Sequence, residues 1–336
     1  MAFFRCMPPA SSGGGGGEVE PDIILGSNNI YLPSVTTVNK TKINWSSEIN
    51  EPVIISNKVA SCESMFNGWS TFNSPVTFSN SWDNIVIPRR SYSNMFYGCA
   101  AFNQPIDVPN HKVPTDFSSM FYGCTALNAN INLTDTEGVS SFENVFFDCI
   151  TLNKRLNFGN ICNSSGGLSA RNMFYNCRAF NQPLYFNCNN LGLVTFDNAF
   201  INTREMYSPV LITATNVRIL YMRKMLNNSK GISDLILNIT TNNTSNNAHL
   251  FMIDFNDMLG GRLSSQQPNR INIYTPFIAD MITNNNATHF INGYNLTWTT
   301  MTNGYYNISQ NLYLYTNVSD GVNKFWDYYN NFYNIV

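Results

Sequence analysis

The chain repeats itself, and that limits its fold more than any other feature. The stretch Asn94-Met95-Phe96-Tyr97-Gly98-Cys99-Ala100-Ala101-Phe102-Asn103-Gln104-Pro105-Ile106-Asp107-Val108 returns at intervals of 25 to 30 residues. Met120-Phe121-Tyr122-Gly123-Cys124 runs into Leu127-Asn128 and Ile131-Asn132-Leu133. Val145-Phe146-Phe147-Asp148-Cys149 and Met173-Phe174-Tyr175-Asn176-Cys177 open two further copies. Met65-Phe66-Asn67-Gly68-Trp69 is a degenerate earlier copy, and Ala199-Phe200 and Met225-Leu226 mark two weaker later ones. A period in this range is the signature of a solenoid, in which no unit can bury its apolar side alone.

Two periodicities alternate within each copy. Met95, Cys99 and Phe102 fall at i, i+4 and i+7, which predicts a short helical turn. Ile106 and Val108 flank Asp107, the two-residue period of a half-buried strand. The expected fold class is therefore an α+β repeat solenoid. Its leucine-rich-repeat-like coils would each hold a short helix and a short parallel strand, with capping segments at both ends. Stacking puts like residues over like. Cys99, Cys124, Cys149 and Cys177 are expected as a structural ladder of small buried thiols, since no Cys-x-x-Cys knuckle offers a zinc site. Asn103, Asn128, Asn153 and Asn181, preceded by Asn73, form a second expected ladder, their amides satisfying backbone groups where the chain turns. Tyr97, Tyr122, Phe147 and Tyr175 are expected to line up as a partly exposed aromatic ridge. Such a ridge either binds sugar rings or a protein, or simply seals the convex side.

Met-Phe-Tyr-Gly-Cys followed by Phe-Asn-Gln-Pro, and preceded by a run such as Val139-Ser140-Ser141-Phe142, resembles the BspA-like leucine-rich repeats over about residues 58–240. That family occurs in bacterial surface proteins, mycoplasma lipoproteins and many viral proteins. The resemblance implies a right-handed solenoid and adhesive or recognition roles, with no shared catalytic residues. The visible export signal or anchor of the surface members is not seen.

Along the chain, residues 1–21 are expected to be a flexible Gly-rich tail; Gly13–Gly17 has no following Lys-Ser/Thr to make a phosphate loop. Residues 22–57 are expected as an N-terminal cap, with strands at Ile23–Leu25, Ile30–Leu32 and Pro52–Ile55. Residues 58–275 form the repeat solenoid. Residues 276–336 are a C-terminal cap of a β-hairpin and a helix. In this segment Phe277 to Ile282 is expected to be helical, Asn292-Gly293 and Asn303-Gly304 signal hairpin turns, and Leu312–Tyr315 is the last strand. Ser319-Asp320 offers N-cap chemistry to a final helix whose apolar stripe is Val322, Phe325, Trp326, Tyr329, Phe332 and Tyr333.

Charged residues make up 12% of the chain and the net charge is −2, which argues against nucleic acid as a partner. No stretch predicts membrane insertion. His111, His249 and His289 lie far apart without ligand-spaced neighbours, so no metal, cofactor or His-based catalysis is expected. The acidic pairs Asp254/Asp257 and Asp135/Glu137 are weak candidates for glycosidase carboxylates. The expected function is that of a non-enzymatic virion structural or recognition protein, such as a phage fibre, spike or decoration component. It would join other virion proteins through its tail, present its flank to a host surface glycan or protein, and form a homo-oligomer. A bacterial cell-surface adhesin is the alternative, and a polysaccharide depolymerase the second.

Overall fold

The computed structural model describes residues 48–240 apart from breaks, the longest at 79–88, and outside that range the terminal strands and helix named below. The elements in chain order are β1 (Ile23–Leu25), β2 (Asn28–Ile30), β3 (Val53–Ile55), β4 (Val76–Phe78), β5 (Arg90–Ser91), β6 (Ile106–Asp107), β7 (Thr115–Asp116) and β8 (Ile131–Asn132). Then come β9 (Val139–Ser141), β10 (Leu156–Asn157), β11 (Asn160–Cys162), β12 (Gly167–Ser169), β13 (Leu184–Asn189), β14 (Leu193–Thr195), β15 (Val210–Thr215) and β16 (Ile219–Tyr221). The chain closes with β17 (Asp234–Thr240), β18 (Met252–Asp254), β19 (Ile271–Tyr274), β20 (Thr299–Met301), β21 (Tyr305–Ser309), β22 (Leu312–Tyr315) and α1 (Val318–Asn334).

These strands build a parallel β-solenoid of about six turns. The expectation of an α+β, leucine-rich-repeat-like coil with a helix in every turn is wrong. Each coil instead carries two strands. One precedes the Met-Phe motif, and these strands stack in the order β5-β7-β9-β12-β14-β16-β18. The other follows the Asn-Gln-Pro turn and stacks as β6-β8-β10 and as β11-β13-β15-β17-β19. Arg90 pairs with Thr115, Ile106 with Ile131, and Leu184 with Val210, all in parallel register.

The segment read as helical is a run of tight turns, and its backbone shows why. Asn94 has φ 55° and Gly98 φ 70°, values a right-handed helix cannot hold. The same two positions carry positive φ in the next copies, at Ser119 and Gly123, Asn144 and Asp148, and Asn172 and Asn176. Glycine, asparagine and aspartate are the residues that best tolerate that region. The amides then alternate in what they bond. Met95, Tyr97 and Cys99 donate three residues back, to Tyr92, Asn94 and Phe96, at 3.0–3.1 Å. Between them, Phe96 and Gly98 donate to Met120 and Tyr122 of the following coil at 2.8 and 2.7 Å. A helix would spend every donor within its own coil, whereas here half of them join one coil to the next.

The interior follows the same register. Phe66, Phe96, Phe121, Phe146, Phe174 and Phe200 are fully buried and stack face on face, with centroids 5.2–5.7 Å apart. Met65, Met95, Met120, Val145, Met173, Ala199 and Met225 run alongside with no exposed surface. Burying each such side chain contributes about 1.5–3 kcal/mol. A lone coil would leave both faces of its Phe wet, so the units fold only as a stack.

Both ends depart from the parallel pattern. β1 pairs antiparallel with β2 and β3, while β3 joins the parallel stack through β4. At the other end β22 runs parallel to β19, then antiparallel to β21, which pairs antiparallel with β20. β2 starts two residues earlier than the strand expected at Ile30–Leu32. Helix α1 begins at Val318, one residue before the expected cap at Ser319, and it packs on the outer side of β15 and β17. Residues 1–21, the expected helix at Phe277–Ile282 and the turn dipeptides at 292–293 and 303–304 lie outside the described residues.

Candidate functional site

The columns differ in what they leave over for a partner. In the thiol column, Cys99 donates its Sγ–H to the Phe66 carbonyl at 3.1 Å, Cys124 to Phe96 at 3.1 Å, Cys149 to Phe121 at 3.1 Å and Cys177 to Phe146 at 2.9 Å. All four are buried and unbridged. Burial pushes the thiols of Cys124, Cys149 and Cys177 well above their ordinary value. The neutral thiol is a weak donor with an assigned acceptor, and nothing remains for chemistry. Thr203 and Ser229 carry the column onward, sharing a hydrogen bond of 2.8 Å between their hydroxyls. Both are hidden from a search for cysteine, although their spacing from Phe200 and Leu226 places them.

The asparagine column is also committed. The Asn103 amide N–H donates to Asn73 Oδ1 at 2.8 Å, Asn128 to Asn103 at 2.7 Å, Asn153 to Asn128 at 2.9 Å and Asn181 to Asn153 at 2.9 Å. It begins one rung earlier than the repeat suggests, because Asn73 donates to Asn50 Oδ1 at 2.9 Å. It ends on Asn181, whose Oδ1 accepts from Tyr207 N, Ser208 N and Ser208 Oγ at 2.8–3.0 Å. Each side chain thus supplies the carbonyl that a turning backbone does not.

The aromatic ridge is different. Tyr97, Tyr122, Phe147 and Tyr175 are half-buried, and successive rings stack 4.5 Å apart at 3–9°. Each ring covers its neighbour's face, so the ridge offers edges and the hydroxyls of Tyr97, Tyr122 and Tyr175. A sugar that stacks needs an open face, and within the row none is open. Burial, with Tyr97 and Asp148 close by and a hydrogen bond to Tyr97, raises the Tyr122 phenol above its ordinary value, so the hydroxyl stays protonated. Beside Tyr97 and Tyr122 runs a strip of bare backbone at Gly68, Gly98 and Gly123. A Cβ at Gly98 or Gly123 would meet nothing nearer than 3.7 Å, so the positive φ, not crowding, favours glycine.

Towards the C-terminal end lies a charged column that the repeat does not announce. Glu143, Arg171, Asp197 and Arg223 occupy equivalent positions of four coils. Asp197 is buried and accepts from Arg223 through N at 2.9 Å and Nε at 3.0 Å, with Arg171 Nη2 3.7 Å away. The signs alternate along the stack, and the buried Asp197 lies between two arginines. Among the described residues no three His, Cys, Asp or Glu side chains converge as metal ligands, and no helix is long and apolar enough to cross a membrane. His111, His249, His289, Asp135, Glu137 and Asp257 lie outside the described residues, and Asp254 is placed only as the last residue of β18.

Fold and columns together define a repeat β-solenoid whose thiol and asparagine ladders are spent between coils and whose half-exposed row is aromatic. The chain belongs to the family described as "Mycoplasma protein of unknown function, DUF285", which matches residues 37–158 and 90–210. No curated protein and no solved structure matches the chain.

Proposed function

We propose that the protein is a non-enzymatic surface protein that holds a rigid flank towards a binding partner. One observation carries this: the thiols and asparagine carbonyls are consumed between coils, while Tyr97, Tyr122, Phe147 and Tyr175 stay half-exposed in a row whose rings repeat every 4.5 Å, with hydroxyls on three of the four. Preorganised donors of this kind suit a protein or a hydroxyl-rich glycan approached edge-on. Binding of purified protein to host envelope fractions tests it. The triple variant Tyr97→Phe, Tyr122→Phe, Tyr175→Phe keeps the stack and removes the hydroxyls. It should bind at least about tenfold more weakly at unchanged melting temperature, a loss of about 1.4 kcal/mol. Equal binding by the variant would remove the ridge from consideration.

In its finer form the proposal places the chain on a virion, joined through residues 1–21 and assembled as a homo-oligomer. The second form places it on a bacterial cell surface as an adhesin, and the Mycoplasma attribution of the matching family favours it. Immunoblotting of purified virions and of cell-envelope fractions separates the two. Signal confined to the envelope would reject the virion.

A further inference from the structure

Helix α1 does not belong to the main core. Phe325, with Val322, Trp326 and Tyr329 partly buried beside it, forms a cluster of its own with Leu211 and Ile236 on the outer side of β15 and β17. Tyr185 of β13 joins them, with the Trp326 ring edge-on at 5.2 Å. Leu211 and Ile236 face away from the interior filled by Val210, Ile212, Leu235 and Leu237. At the same outward position earlier coils carry Thr77, Asp107 and Asn132, all polar. Ile54 is also apolar at this position and exposed, but α1 covers the run of three at Tyr185, Leu211 and Ile236.

The helix has little reason to form on its own. Its sequence holds Gly321, several asparagines and eight β-branched or aromatic residues against one good helix former, Lys324, and no basic residue stands in its last turn. A segment of 17 residues with that composition is not helical in isolation. Docking therefore creates it. Besides the apolar cluster, the Arg155 guanidinium lies 4.6 Å over the Tyr329 ring and donates to its hydroxyl, and the Tyr328 hydroxyl meets Ser208 Oγ at 3.3 Å. The coils beneath are joined by their own ladders, none of which passes through α1.

We propose that α1 is a strap that folds on docking and releases as a unit, and that its release bares the strip Tyr185–Leu211–Ile236 while the solenoid stays intact. Hydrogen exchange of the full chain, followed by mass spectrometry, tests it. Amides of residues 318–330 should exchange roughly 100-fold or more faster than those of β15 and β17 under native conditions. Phe325→Ala should abolish the remaining protection in α1 and leave the coils from Met95 to Cys177 unchanged. Equal protection of α1, β15 and β17 in the native chain would overturn the proposal. So would a Phe325→Ala chain that fails to fold or whose coils loosen along with the helix.

Discussion

The positive-φ positions decide what each copy becomes. Gly98→Ala places a Cβ in the left-handed region, in ordinary contact with the Gly68 backbone at 3.7 Å, so its cost is conformational, about 1–2 kcal/mol. Gly98→Asn should cost much less, because Asn176 and Asn202 already stand at that position with φ 61°. Urea unfolding of the two variants side by side checks the order. The thiols make a second prediction. In the unfolded chain a cysteine ionises near its ordinary value of 9.0, whereas burial raises Cys62 to about 12 and Cys124, Cys149 and Cys177 well upward too. The folded state keeps protons that the unfolded state releases, so stability is fully present below about pH 9 and is lost as pH rises towards the folded values. Melting temperature should fall steadily from about pH 9 upward, and Cys124→Ser should flatten the slope. At pH 8, iodoacetamide should label none of the column until urea is added, as peptide mass spectrometry would report.

At the level of the elements, the asparagine column ranks its own members. Asn128→Ala orphans one donor, the Asn153 N–H, and should cost about 1–2 kcal/mol. Asn181→Ala orphans the donors of Tyr207 and Ser208 together and should cost more, with the difference visible in equilibrium unfolding. These columns could be located from the period alone, since Asn103, Asn128 and Asn153 stand at fixed distances from Met95, Met120 and Val145. The conformation between them could not be read so easily. Met95, Cys99 and Phe102 show helical spacing, yet Phe96 is as buried as Met95, and a helix would turn the next residue by about a quarter of a circle. The signal against a helix was Asn94 before Met95 and Gly98 before Cys99, repeated as Asn144 and Asp148 and as Asn172 and Asn176: residues suited to positive φ, four apart, although Ser64, Ser119 and Lys224 blur it in other copies. The strands before the motif were hidden for another reason. Thr115–Asp116 and Arg90–Ser91 are two residues long, too short for any alternation to appear. Asn50 and Thr203 escaped because they hold their column positions without the rest of the motif.

For the whole molecule, the beginning of the stack depends on one carboxylate. Later coils satisfy the turn with backbone, as Ala101 N bonds Ser70 O and Ala126 N bonds Ala100 O, each at 3.0 Å. At the coil of Met65 a side chain does this instead, and Glu48 receives Ser70 N at 3.1 Å, Thr71 N at 3.2 Å and Thr71 Oγ1 at 2.5 Å. Glu48→Ala should fray that end, with faster amide exchange at Ser70 and Thr71 and little change from Met120 onward. With the ends closed separately, the middle has no fixed length. The rungs from Met95 to Cys177 offer their successors the same carbonyls, amides and ring faces that they accept from their predecessors, so an extra copy spliced in frame among them would find its partners waiting. Gene duplication can then lengthen the molecule in steps of about 4.8 Å, the spacing of neighbouring strands. A lineage could thus adjust how far its outer end stands from its base, as a surveyor adds sections to a staff.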